Sequence, residues 1–295
     1  MLVFLVTDEH VMLLINEKYI SLSELLAINE SKASDDFEKA VADNINKLSK
    51  DHVYSAERPV SDNRYSDVII TRNDGTSAWL EVKMDHHAGV GSPRVYYSDY
   101  EGGWATTYTS PSAAWIVDLL NSNDEVKQWI NDFKKWLCNE LKTTKDKKLL
   151  EIIKKPKENK NYKPSDLQIV IPTTGGGLKE HGAIPFDVMY KYVDENNKRY
   201  ILTYECDISK LIEDHYTKGK AEPTYYIQAG DDLYRLGNKN PFGWKLPRLK
   251  APDGTCSIRV STRQGFYEVQ VDIKTHTIND SEYSLKPNSQ KLSPF

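Results

Sequence analysis

The apolar and polar positions of the chain follow two periods. Between Ser34 and Leu48, Phe37, Val41, Ile45 and Leu48 recur at three- and four-residue steps, which predicts an amphipathic helix. Ser34 is placed to cap it, and Asp35 and Asp36 sit near the positive end of its dipole. Glu38 lies beside the stripe, at the border of the buried face. From Asp67 the period drops to two: Asp67 to Arg72 and Ser77 to Lys83 read as strands, joined by the hairpin signal Asn73-Asp74-Gly75-Thr76. A loop rich in Gly and Tyr follows from His86 to about Thr107, with Gly89, Gly91, Gly102 and Gly103. Helical spacing returns at Ser112 to Leu120, after Pro111, and at Asp124 to Leu137, where Val126, Trp129, Ile130, Phe133 and Leu137 share one face.

Further on, strand signals dominate, at Leu167 to Ile171, Tyr200 to Tyr204, Thr224 to Gln228, Ser257 to Ser261 and Tyr267 to Ile273. The opening run MLVFLVTDEHVMLLIN reads as two short strands joined at Thr7 to His10. Lys142 to Lys163 is lysine-rich, with a mobile connection expected around Pro156 to Asn161. The polar tail after Asp280, ending in Pro294-Phe295, is expected to be loose. The order is α+β, with a weakly marked boundary near residue 165. Residues 1–165 form the first region and 166–295 a β-rich one, serving recognition or extending the same body.

Composition changes this picture little. The 295 residues carry 39 Lys and Arg against 43 Asp and Glu, a net charge of -4, which neither announces nor excludes a nucleic-acid partner. Cys138, Cys206 and Cys256 are too scattered for a zinc site and read as reduced thiols of a cytoplasmic protein. The apolar start lacks a basic flank and is broken by Asp8, Glu9 and His10, so it is no signal peptide. No run approaches the ~20 apolar residues of a membrane span, so no membrane partner is expected.

The chemistry concentrates in the hairpin. Glu81 and Lys83 share a strand face, with Leu80 and Val82 on the other. Folding about Asp74 brings Asp67 across from Glu81 to within one residue of register. Two carboxylates so close repel unless a cation or a shared proton lies between them. A hard divalent ion such as Mg²⁺, which takes one or two carboxylates plus waters and phosphate oxygens, resolves the conflict. Lys83 then reaches the same place to hold a phosphate oxygen or stabilise a hydroxide. The competing reading is a solvated hairpin face, on which Asp, Glu and Lys are common.

Asp67, a short hairpin, then Glu81-Val82-Lys83 resembles the PD-(D/E)xK nuclease superfamily, with Ser66 where the family name has proline. The resemblance spans about residues 34–140 and rests on a handful of positions. It implies a restriction-endonuclease-like fold, a mixed central sheet flanked by helices. It also implies Mg²⁺, with Mn²⁺ as a substitute, held by Asp67, Glu81 and the Val82 carbonyl. Lys83 would assist the attacking water, and Glu38 would be a secondary acidic residue. It further implies DNA as partner and a bacterial or phage-infected cytoplasm as setting. A homodimer is one assembly consistent with double-strand cutting, although no interface is legible.

The segment His86-His87-Ala88-Gly89-Val90-Gly91-Ser92-Pro93-Arg94 is similar to stretches of phage nucleases of this type. Arg94 is a candidate phosphate clamp, and His86 and His87 are candidate donors, against the plainer reading of exposed loop residues. Thr173 to Gly177 lacks the P-loop spacing and reads as a flexible loop. The lysine stretch and Tyr96, Tyr97, Tyr100 and Tyr108 are possible DNA-tracking and base-stacking surfaces. Three functions fit: an endonuclease acting on duplex DNA, a catalytically silent DNA-binding protein of the same shape, and an end-dependent exonuclease.

Overall fold

The computed structural model describes residues 4–7, 10–15, 18–59, 64–87, 89, 93–175, 181–263 and 265–295, with backbone alone for 4–31 and 263. In chain order the first elements are β1 (Phe4–Thr7), β2 (His10–Ile15), β3 (Lys18–Ser21), α1 (Leu22–Leu48), β4 (Tyr54–Glu57), β5 (Val68–Arg72) and β6 (Ser77–Lys83). Next come β7 (Tyr96–Ser98), β8 (Gly103–Ala105), α2 (Pro111–Ser122), α3 (Asp124–Thr143), α4 (Lys147–Leu150) and β9 (Val170–Ile171). The remainder is α5 (Phe186–Glu195), β10 (Tyr200–Cys206), α6 (Ser209–Lys218), β11 (Thr224–Ala229), β12 (Asp232–Arg235), β13 (Asp253–Arg263) and β14 (Phe266–Thr277). The class is α+β, as the patterning predicts. No helix among the described residues is long and apolar enough to cross a membrane.

The chain divides into two units, and the division does not fall at 165. Residues 1–86, 224–248 and 280–295 make the first, and 87–223 and 249–279 the second. Segments far apart in sequence share a sheet, so a linear cut cannot separate them. In the first unit the strand order is β12-β11-β6-β5-β4, with β11 parallel to β6 and the other pairs antiparallel. Alternation along β5 and β6 sends Val68, Ile70, Ala78, Leu80 and Val82 to one face, where they form a core with Val41, Ala42 and Ile45 of α1. Of the predicted stripe, Val41 and Ile45 are buried here, Phe37 packs against the core half-buried, and Leu48 is exposed; Ala42 adds to the stripe. The helix runs from Leu22, so Ser34 is no cap; its hydroxyl lies within α1 and donates to Glu38 Oε1 at 3.2 Å. Β1 and β2 pair antiparallel from Phe4↔Leu13 to Thr7↔His10, and β3 adds to β2.

The tail is not loose. Leu285 is fully buried, its N–H donates to Gln228 Oε1 at 2.8 Å, and its carbonyl accepts from Asn44 Nδ2 at 2.9 Å. Phe295 stacks on Tyr54. Polar composition concealed this because the tail's hydrogen bonds satisfy Gln228, a polar residue buried on β11.

In the second unit β7 joins β8 and β9, and β10, β13 and β14 form an antiparallel sheet. Helix α3 buries the predicted face and is capped by Asn123, whose Oδ1 accepts from the N–H groups of Glu125 and Val126. Two helices in the region expected to be mostly strand, α5 and α6, bury Met189, Tyr192 and Val193, and Leu211, Ile212 and Tyr216. Of the strand expected at 167–171 only β9 forms, after a 3₁₀ turn at Pro164–Asp166. The connection at 156–161 is a tied turn: Lys157 Nζ meets Asp166 Oδ2 at 2.5 Å and Lys160 N–H donates to the Lys157 carbonyl.

Candidate metal centre

The β5–β6 hairpin closes on Gly75, whose φ of +87° suits glycine, while Asp74 Oδ1 accepts from the Thr76 N–H. The register Thr71↔Ser77 to Val68↔Leu80 puts Asp67, one step beyond the ladder, opposite Glu81. Two further contacts fix the approach to Asp67. Tyr65 packs on Trp79 with centroids 5.2 Å apart, and the buried Ser66 hydroxyl lies 2.6 Å from Thr224 Oγ1 at the start of β11. Ser66 therefore ties the neighbouring Asp67 to the parallel strand.

Asp67 Oδ2 accepts from the Val82 N–H at 2.8 Å. On the same strand the Lys83 carbonyl accepts from Gly230 N–H, so the alternate residue Val82 turns its N–H and its carbonyl the other way, toward Asp67. Glu81 is 2% exposed, and its Oε1 meets Lys83 Nζ at 2.7 Å. Burial first, then the Glu81 charge, pushes the Asp67 carboxyl up to about 7, against the opposing pull of Lys83 and the Val82 N–H. The more distant Glu38 charge adds to the rise.

Thus Asp67, Glu81, Val82 and Lys83 come together as the sequence places them. Glu38 contributes through its charge, while its own oxygens are taken: Arg58 Nε donates to Oε2 at 2.8 Å and Ser34 donates to Oε1. Arg58 also pairs with Asp35 at 2.6 Å, and its guanidinium is held charged. His86, in the first unit, meets Asp232 Oδ2 at 2.9 Å. The buried Asp232 also accepts from Lys291 Nζ and the Ser281 N–H. His87 and Arg94 belong to the second unit. There His87 Nδ1 lies 3.0 Å from the Thr275 carbonyl, and Arg94 lines a cavity. Gly176 and Gly177 of the glycine run, and Gly91 of the earlier loop, lie outside the described residues.

Arg58, Thr224 and Asp232 escape a sequence reading. Only Asp232 leaves a trace, in the turn signal Gly230-Asp231 before a strand. Among the described residues no three His, Cys, Asp or Glu side chains gather at metal-ligating spacing. Two carboxylates and a carbonyl still fit Mg²⁺, whose remaining positions go to water and phosphate. A buried carboxylate facing a half-buried one that is driven toward its protonated form is the charge conflict a divalent ion relieves. Comparison with protein-family models, curated proteins and solved structures gave no match.

Proposed function

We propose that the chain is a metal-dependent DNA endonuclease of PD-(D/E)xK type. The observation that supports it is Asp67 facing Glu81 across the hairpin, with Lys83 on Glu81 Oε1 and the Val82 carbonyl turned to the same side. Asp67, Glu81 and that carbonyl would hold Mg²⁺, which when bound supplies charge neutralisation and a more acidic water. Asp67 would hold the ion as a carboxylate, its proton lost to solvent. Lys83, released from Glu81, presents its ammonium to the phosphate oxygen that gains charge as water attacks phosphorus. One P–O ester bond is replaced by P–OH, and the leaving oxygen departs as a hydroxyl.

Incubation with plasmid and with linear DNA, unmodified and base-modified, in Mg²⁺ or Mn²⁺ tests this. Cleavage of closed circles that is lost in Glu81→Ala supports the endonuclease, and cleavage of linear DNA alone indicates an exonuclease. DNA left intact under all these conditions, with Glu81→Ala indistinguishable, overturns both. One observation favours the silent DNA-binding alternative: with Lys83 on Glu81 and a proton on Asp67, the group is neutralised without an ion. Metal affinity abolished by Asp67→Ala separates the two readings.

A further inference from the structure

The second unit holds a cavity of about 350 Å³, at the small end of the ~300–1,000 Å³ range of ligand sites. Arg94, Tyr96, Glu101, Tyr108, Val170 and Thr173 are among its lining residues. Its walls are tied together by hydrogen bonds. Tyr96 pairs with Ala105 across β7 and β8, and Ser98 pairs with Val170 across β7 and β9. The Thr106 hydroxyl donates to the Arg94 carbonyl at 2.6 Å and accepts from the Tyr108 N–H at 3.1 Å, joining the cation's backbone to that of the aromatic residue. Tyr96 donates its hydroxyl to Glu101 Oε2 at 2.8 Å.

Three features define the ligand. Tyr108 is 47% exposed and presents an aromatic ring at the cavity. Glu101 is an acceptor-only carboxylate with one oxygen engaged by Tyr96. Among the described residues the Arg94 guanidinium enters no ion pair or side-chain hydrogen bond, not even with Glu101 of the same cavity, which leaves its donors to an external anion. A flat ring, an amino group for the carboxylate and a phosphate for the guanidinium are the parts of one nucleotide. We infer that this cavity binds a single nucleotide, its base against Tyr108 with an exocyclic amine on Glu101, and its phosphate on Arg94. The nucleotide is either free or turned out of a nucleic-acid strand. The site belongs to the second unit and does not depend on the hairpin's chemistry.

The test is calorimetric titration of the full chain, without metal, with dAMP, dCMP, dGMP and TMP, the matching nucleosides, and short single-stranded oligonucleotides. The expected result is binding of at least one amine-bearing monophosphate in preference to TMP. Arg94→Gln should weaken the monophosphate by on the order of tenfold while leaving the nucleoside unchanged. Tyr108→Ala should weaken both by on the order of tenfold. Both side chains are exposed, so the variants should melt with the parent. Competition by an oligonucleotide of the preferred base assigns the site to a strand, and binding of the monophosphate alone assigns it to a free nucleotide. No binding by any probe, or binding indifferent to both folded variants, overturns the site. TMP bound as tightly as the rest overturns the role of Glu101. None of these readouts requires cleavage, so they fail or succeed apart from the nuclease reading.

Discussion

The Val82 N–H donates to Asp67 Oδ2 at 2.8 Å, across the point where the β5–β6 ladder ends. This bond holds one carboxylate facing the next, where burial first and then the Glu81 charge raise Asp67 against the pull of the Val82 N–H itself. The arrangement costs stability in the absence of an ion, and that cost can be measured.

The pH dependence has a definite sign. Asp67 is raised from 3.8 to about 7, so its contribution to stability is complete below about pH 4 and is lost as pH rises through about 7. In chelator, the parent should therefore lose stability over that window relative to Asp67→Asn, which has no proton to lose. Above pH 8 the variant should be the more stable, and below pH 4 the two should converge. Thermal melts across this range check it, and parallel curves would remove the raised carboxyl.

Metal and proton compete for the same oxygens. Affinity for Mg²⁺ or Mn²⁺ should rise with pH by up to about tenfold per unit below pH 7 and level off above it, with about one proton released per ion. Titration calorimetry in buffers of different ionisation enthalpy reads that proton directly. An affinity flat from pH 5 to 8 contradicts the assignment.

Removing the ammonium affects both the fold and the chemistry. Lys83→Met takes the Nζ partner from Glu81, a carboxylate that is 2% exposed, and should destabilise the metal-free protein by about 1–3 kcal/mol. Saturating Mg²⁺ should restore most of that loss while cleavage stays down by about 10²–10³-fold. Denaturant melts with and without Mg²⁺, beside plasmid assays, separate the two effects.

Arg58 tests the reach of Glu38. Arg58→Ala leaves Glu38 without its guanidinium, so the Asp67 carboxyl should rise further, and metal affinity at pH 6.5 should rise too because a divalent ion feels twice the charge effect of the proton it displaces. Adding Glu38→Gln should reverse the rise. Calorimetry on the single and double variants provides the comparison.

The hairpin was the most legible part of this chain, because a two-residue period, a turn with Asp74-Gly75 and the Glu81-Val82-Lys83 run all constrain one local structure. The stripe of α1 and the buried face of α3 were legible for the same reason, through short-range periodicity. What stayed hidden depends on contacts between distant segments. β11 lies parallel to β6 across some 140 residues of intervening chain, and no local pattern announces that Thr224 will meet Ser66 or that Leu285 will close the core. Helices α5 and α6 were missed because ten residues give too few turns for their period to stand out among tyrosines. Arg94 and His87 looked like neighbours of the motif in sequence, yet they fold into the other unit.

Anomalous diffraction from a crystal soaked in Mn²⁺ at pH 8 tests the central claim most directly. The account predicts one peak bridging Asp67 and Glu81 carboxylate oxygens, with the Val82 carbonyl in its shell. Full-strength density elsewhere, with Lys83 still paired to Glu81 and no peak between the two carboxylates, would contradict it.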